Sequence, residues 1–150
     1  MITLVPIDGS QSSLDAVKYA ARHEPQGELL LLYVAPSGRQ GDLEQGKFLL
    51  EDSRRQCQVI AQDVRIRTRL EIGDRRSKLT EVSEDCDLVV MGAHGENGLP
   101  HVDRVSPEAA EITGQVHAPV VLVLPTGEAI VGGVAGYWEV HTEALTGHAA

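Results

Sequence analysis

Leu88-Val89-Val90-Met91-Gly92-Ala93-His94-Gly95-Glu96-Asn97-Gly98 joins a short apolar run to a glycine-rich loop. The run reads as a buried strand. The glycines let backbone N–H groups approach an anion closely, and such a loop leading into a helix often holds a phosphate. A helix start follows at Ser106-Pro107-Glu108: serine at the cap, proline at the first helical position, an acid in the first turn.

The same alternation runs along the rest of the chain. Ile2 to Ile7 is a short β-run closed by Asp8-Gly9-Ser10. Ser12 to Asp15 has the S-x-x-D spacing of a capping box, and Leu14, Val17 and Ala21 follow on one helical face up to the breaker Glu24-Pro25-Gln26-Gly27. Leu29 to Val34 is apolar without interruption, as a strand covered on both faces must be. A long helix is predicted from Asp42 to Gln62, with Gly46 weakening it. From Val64 to Ile72 the pattern alternates strictly, with Arg65, Arg67 and Arg69 on one side, which suits an edge strand with a solvated face. Gly73-Asp74 opens a third helix with Leu79, Val82 and Cys86 inward; a fourth strand runs from Asp87 to Met91. Ala109, Ile112 and Val116 mark the fourth helix, and Ala118 to Pro125 the fifth strand. With right-handed crossovers, this order predicts an α/β fold: an open, doubly wound, five-stranded parallel sheet with helices on both faces.

Composition narrows the function classes. The chain has 150 residues, and residues 1–125 suffice for one domain. Residues 126–150 are rich in Gly and Ala and read as a mobile or partner-binding extension. Thirteen basic residues against 22 acidic ones give a net charge of −9, which repels nucleic acid and anionic membranes alike. Aromatics are 3% of the chain, too few for base-stacking platforms. No run approaches the length of a membrane span, and the first residues lack the charge and apolar core of a signal peptide, so a cytoplasmic setting is expected. Cys57 and Cys86 have no metal-binding spacing and are expected on inward helix faces as reduced thiols. The scattered histidines predict no metal centre.

In doubly wound sheets, ligands sit outside the carboxyl ends of the strands, where strand order reverses. Two loops fit: Pro6-Ile7-Asp8-Gly9-Ser10 and Gly92-Ala93-His94-Gly95. Asp8 can accept a ribose hydroxyl. Ser10, His94 and Asp8 together also invite a hydrolase reading, but the G-x-S-x-G nucleophile elbow is absent.

These loops, with Leu29 to Val34, Asp87 to Leu99 and Ala118 to Val123, carry a resemblance to the universal stress protein family over about residues 1–125. The resemblance implies a Rossmann-like sheet of the adenine nucleotide alpha hydrolase-like kind, in the order 3-2-1-4-5. It implies a homodimer through antiparallel pairing of the last strands, here Val120 to Leu124. It places adenine near Pro6, Val34 and Met91, the ribose at Asp8, and phosphates at Gly92, Gly95 and Ser106, with His94 in the same loop. Nucleotide-binding members carry G-x2-G-x9-G-[S/T], and ATP would bring Mg²⁺ with it. This chain has Gly92 and Gly95 at that interval, but Val105 stands where the third glycine would, followed by Ser106, and Asp103 adds a negative charge. Another subgroup lacks the motif and is not expected to bind ATP. The family implies a stress-response regulator or binding module, not a dedicated enzyme. Two alternatives stay open: a nucleotide-hydrolysing or phosphate-transferring enzyme using Asp8, His94 and Asp103, and a nucleotide-free dimerisation scaffold.

Overall fold

An uninterrupted apolar run belongs where water reaches neither of its faces. Leu29 to Tyr33 lies so in a computed structural model that describes residues 1–23, 27–93, 107–127, 129–132 and 138–140. Five parallel strands, β1 (Ile2–Pro6), β2 (Glu28–Ala35), β3 (Arg65–Ile72), β4 (Leu88–Gly92) and β5 (Val120–Val123), alternate with α1 (Gln11–His23), α2 (Gln40–Ile60), α3 (Arg75–Ser83) and α4 (Pro107–Gln115). Two further strands, β6 (Ala129–Gly132) and β7 (Trp138–Val140), follow, and the sheet order is β3-β2-β1-β4-β5-β6-β7. The predicted order 3-2-1-4-5 is thus present, extended by two antiparallel strands.

Successive residues of a strand point to opposite faces, so the sheet builds two cores. Val5, Leu29, Leu31, Val90 and Val121 meet Ala16, Val17 and Ala20 of α1 and Leu50 and Cys57 of α2. Leu4, Leu30, Leu32, Val89, Met91, Val120 and Leu122 meet Leu79 and Val82 of α3 and Ile112 of α4. Each fully buried aliphatic side chain adds roughly 1.5–3 kcal/mol relative to exposure, which outweighs the surface ion pairs. β3 forms one edge, and Arg65, Arg67 and Arg69 on it are exposed, as the alternation predicts. Arg67 pairs with Glu28 at 2.6 Å.

Gly46 turns from a weakness of α2 into a requirement of packing. A Cβ there would stand 2.5 Å from the Tyr33 ring and 2.7 Å from Leu70, so the bare backbone is what lets α2 settle on β2 and β3.

Three expectations need correction. The N-cap of α1 is Ser10, not Ser12: its Oγ accepts from Ser13 N–H at 3.1 Å and its carbonyl accepts from Leu14 N–H at 3.2 Å. Ser12 lies inside the helix, buried against the sheet. Cys57 is buried in α2, where desolvation pushes its thiol up to about 11. Cys86, however, follows the end of α3 and is only half-buried, because the helix stops at Ser83 and a turn carries the chain into β4.

The third correction concerns the tail. Residues 129–132 are not a free extension: β6 pairs antiparallel with β5, from Val120↔Gly132 to Val123↔Ala129, and Ala129 is fully buried. The edge of Val120 to Leu124, through which a homodimer was expected, is therefore occupied by the same chain. A short run of small aliphatic residues following the Pro125-Thr126-Gly127 turn explains why: it can satisfy the backbone groups that β5 would otherwise leave unpaired.

The two glycines of α2 are expected to behave oppositely. Gly46→Val should cost about 1–3 kcal/mol by overpacking. Gly41, with nothing within 4 Å of its would-be Cβ, should gain about 0.5 kcal/mol as alanine, through a stiffer unfolded chain. Urea denaturation of the two variants checks both signs.

Candidate functional site

β1 pairs with β2 on one side and β4 on the other, Thr3 facing Leu88 and Leu4 facing Val89. Here the strand order reverses, and the helices after β1 and after β3 lie on opposite faces of the sheet. The crevice between the loops after β1 and β4 is where such sheets take ligands.

Three apolar side chains converge on one rim of it. Leu4 belongs to the α3/α4-side core, so alternation puts Pro6, the last residue of β1, on that side too. Val34, next to the end of β2, is half-buried against the same core, and Met91, next to the end of β4, is buried in it. Together they form a small aliphatic wall at the carboxyl ends of three adjacent strands.

Asp8 stands just beyond, with its side chain only 9% exposed. Gly9 turns with φ +86°, a conformation that needs no Cβ. This folds Asp8 back so that its Oδ1 accepts from Ser10 N–H at 2.8 Å and from Ser10 Oγ–H at 2.5 Å. Its Oδ2 accepts from the Arg75 guanidinium at 3.2 Å. Burial alone would raise the carboxyl's pKa, but the Ser10 hydrogen bonds and the Arg75 charge outweigh it and hold it below its ordinary value. Ser10 Oγ, bonded to Asp8 and to the first turn of α1, acts as a helix cap.

Arg75 was not singled out from sequence. It follows Gly73-Asp74, the strand-to-helix turn after β3, and Asp74 caps α3 by accepting from Ser77 N–H at 3.0 Å. That turn opens on the same end of the sheet as the β1 loop, which is the signal that could have pointed to it.

Gly92 has a structural role as well. A Cβ on it would come within 2.6 Å of the Ser12 backbone, so its bareness lets α1 pack across the end of β4. Of the predicted site residues, Pro6, Asp8, Val34, Met91 and Gly92 gather at this end of the sheet. His94, Gly95 and Ser106 lie outside the described residues, as do Asp103 and Val105. A hollow of about 110 Å³ beside Gly9 and Ser10, walled by Leu14, Leu49 and Asp52, opens toward α2 rather than toward this wall. It is smaller than the roughly 300 Å³ of a small-molecule site. Among the described residues no helix is long and apolar enough to cross a membrane.

Comparison with known proteins agrees with this architecture. The family model described as the universal stress protein family matches residues 1–124, ending one residue past β5. Universal stress protein UspA from Lactobacillus plantarum is 21% identical with a TM-score of 0.66, over 81% of this chain and 96% of that one. A universal stress protein solved in complex with cAMP is 20% identical with a TM-score of 0.63, over 82% and 96%. A universal stress protein family member from Arabidopsis thaliana, solved with AMP bound, is 18% identical with a TM-score of 0.57, over 81% and 90%. Curated protein sequences give no match. At these identities the solved structures speak to the fold.

Asp8 links the site to stability. With its pKa lower in the folded chain than in the unfolded one, it adds stability that is complete above its ordinary pKa of 3.8 and is lost as pH falls through the folded value. Asp8→Asn is expected to cost about 1–3 kcal/mol at neutral pH by removing the charge-assisted bond to Arg75 and weakening the turn. The deficit against the parent should shrink as the pH falls below 3.8. Denaturation curves at neutral and acid pH read both effects.

Proposed function

Because the chain belongs to the universal stress protein family over residues 1–124, we propose that it is a cytoplasmic binding module, not a dedicated enzyme, that takes an adenine nucleotide in the crevice between β1 and β4. The observation that carries this reading is the convergence of Pro6, Val34 and Met91 on one rim with Asp8 at its end. An apolar wall suits the face of a purine, and a carboxylate beside it suits a ribose hydroxyl. Relatives solved with cAMP and with AMP support the ligand class.

The carboxylate that would meet the sugar is already held in place: Ser10 donates twice to Oδ1, Arg75 donates to Oδ2, and a hydrogen bond from the Ser13 hydroxyl also lowers its pKa. Ser10 and Arg75 then act as positioning residues, fixing the carboxylate and keeping it ionised. By family resemblance the phosphate end would rest on Gly92, Gly95 and Ser106, with His94 in the same loop. Val105 in place of the third glycine and Asp103 beside it both disfavour a triphosphate, so AMP or cAMP suits the chain better than ATP with Mg²⁺.

The alternative of a nucleotide-free scaffold draws on Gly92, since packing against Ser12 already explains that glycine. Calorimetric titration separates the two. AMP is expected to bind the parent, and Asp8→Ala to lose about tenfold in affinity, equivalent to 1.4 kcal/mol. Val105→Gly should strengthen ATP binding and Gly95→Val should abolish nucleotide binding. No heat with AMP, cAMP or ATP would leave the scaffold reading standing. Release of ADP from ATP and Mg²⁺ above background would instead favour a hydrolase.

A further inference from the structure

The last two turns of α1 bring Lys18, Arg22 and His23 to one hollow. Lys18 and Arg22 are four residues apart, as are Tyr19 and His23, so the four share a stripe of the helix. Pro125 and Gly127, in the turn that leaves β5, stand across from them, and the hollow between has a volume of about 130 Å³. That far wall is fixed, since Gly127 N–H donates to the Leu124 carbonyl at 2.9 Å with Gly127 at φ +89°. On the near side the His23 ring lies against the buried Tyr19 ring, their centroids 4.4 Å apart, which holds the imidazole at the hollow.

Helix electrostatics explains only part of this arrangement. The dipole of α1 favours cations in its last turn, and that covers Arg22 and His23. It does not cover Lys18, one turn earlier and half-buried. Among the described residues no carboxylate lies within 4 Å of Lys18 or Arg22. Asp15 is the one carboxylate among the described residues that line the hollow. It is engaged toward the start of the helix, its Oδ1 accepting from Gln11 Nε2 at 3.0 Å. Desolvation, and then the Arg22 charge, hold the His23 imidazole below its ordinary pKa of 6.5, so at neutral pH it donates one N–H without a charge.

We propose that this hollow binds a phosphate group, held by the Lys18 ammonium, the Arg22 guanidinium and the His23 N–H. A phosphate monoester offers three acceptor oxygens and a charge of about −1.5 to −2 at neutral pH, which three donor groups with two charges match better than they match a carboxylate. The size agrees: a cavity of roughly 150 Å³ takes a benzene, and a nucleotide needs more than twice that. The net charge of −9 repels anions at a distance, but a local pair of cations decides what is held at contact. Tyr19 and Val123 belong to the α1/α2-side core, whereas Val34 and Met91 belong to the other. The hollow is therefore on the face of the sheet opposite the nucleotide wall, and the inference does not rest on the nucleotide reading.

NMR titration of the full chain with inorganic phosphate, at neutral pH and constant ionic strength, tests it. The His23 ring protons and the Tyr19 and Gly127 amides are expected to shift to saturation, while the Val34 and Met91 amides stay still. Lys18→Gln combined with Arg22→Gln should weaken binding about tenfold or more, through the loss of two charge-assisted bonds. Asp15→Asn, which removes the opposing charge, should strengthen it. If the paired substitution unfolds the chain, Arg22→Gln alone, at an exposed position, makes the same comparison. Phenyl phosphate identifies the source: tighter binding than inorganic phosphate points to an organic monoester and equal binding to the free ion, and both uphold the site. Shifts that do not saturate, that chloride reproduces at the same ionic strength, that persist in the charge-removed variant, or that fall on Val34 and Met91 instead overturn the proposal.

Discussion

The parallel pairing of β1 with β4 is the contact on which the architecture turns. The chain first builds outward from β1 through β2 to β3, then returns past both to lay β4 on the other side of β1. A right-handed crossover made in one direction puts its helix on one face, and the same hand in the other direction puts it on the opposite face. So α1 and α2 cover one side, and α3 and α4 the other. Burial of β1, β2, β4 and β5 on both faces follows, and so does the parting of the loops at the strand ends. The candidate site is a consequence of this topology before it is a consequence of any one side chain.

Periodicity made most of this readable. Leu29 to Val34 could only be an inner strand, and the arginine alternation of Val64 to Ile72 could only be an edge. The remaining differences arise because local spacing does not fix where a helix or strand begins and ends. Ser10 and Ser12 both precede α1, and only the backbone shows that Ser10 closes the first turn. Cys86 continues the spacing of Leu79 and Val82, but the helix ends three residues earlier. β6 was hidden by the glycine and alanine around it. The signal was there, a Pro-Thr-Gly turn one residue past a strand and one residue before Ala129-Ile130-Val131, but four residues are too few for composition to register.

The site was legible in part and for a definite reason. Asp8, Pro6 and Met91 sit at strand ends, where pattern and chemistry point to the same residues. Arg75 was not, because its importance lies in the third dimension: 67 residues separate it from the carboxylate it meets. Gly92 shows the converse difficulty. One glycine can be demanded by a helix packing on it and by an anion approaching it, and the sequence cannot apportion the two. A substitution there would disturb α1 before it reported on any ligand.

The position of β6 also has a meaning in time. β5 is complete when residue 123 has been made, and its cover only when residue 132 has followed. At about 5–20 residues per second, that interval is of order a second. Every nascent chain therefore passes through a stage in which a wholly apolar strand is finished and its neighbour is not yet available. The time needed to add those nine residues is the time for which the β5 edge stands without its own neighbour.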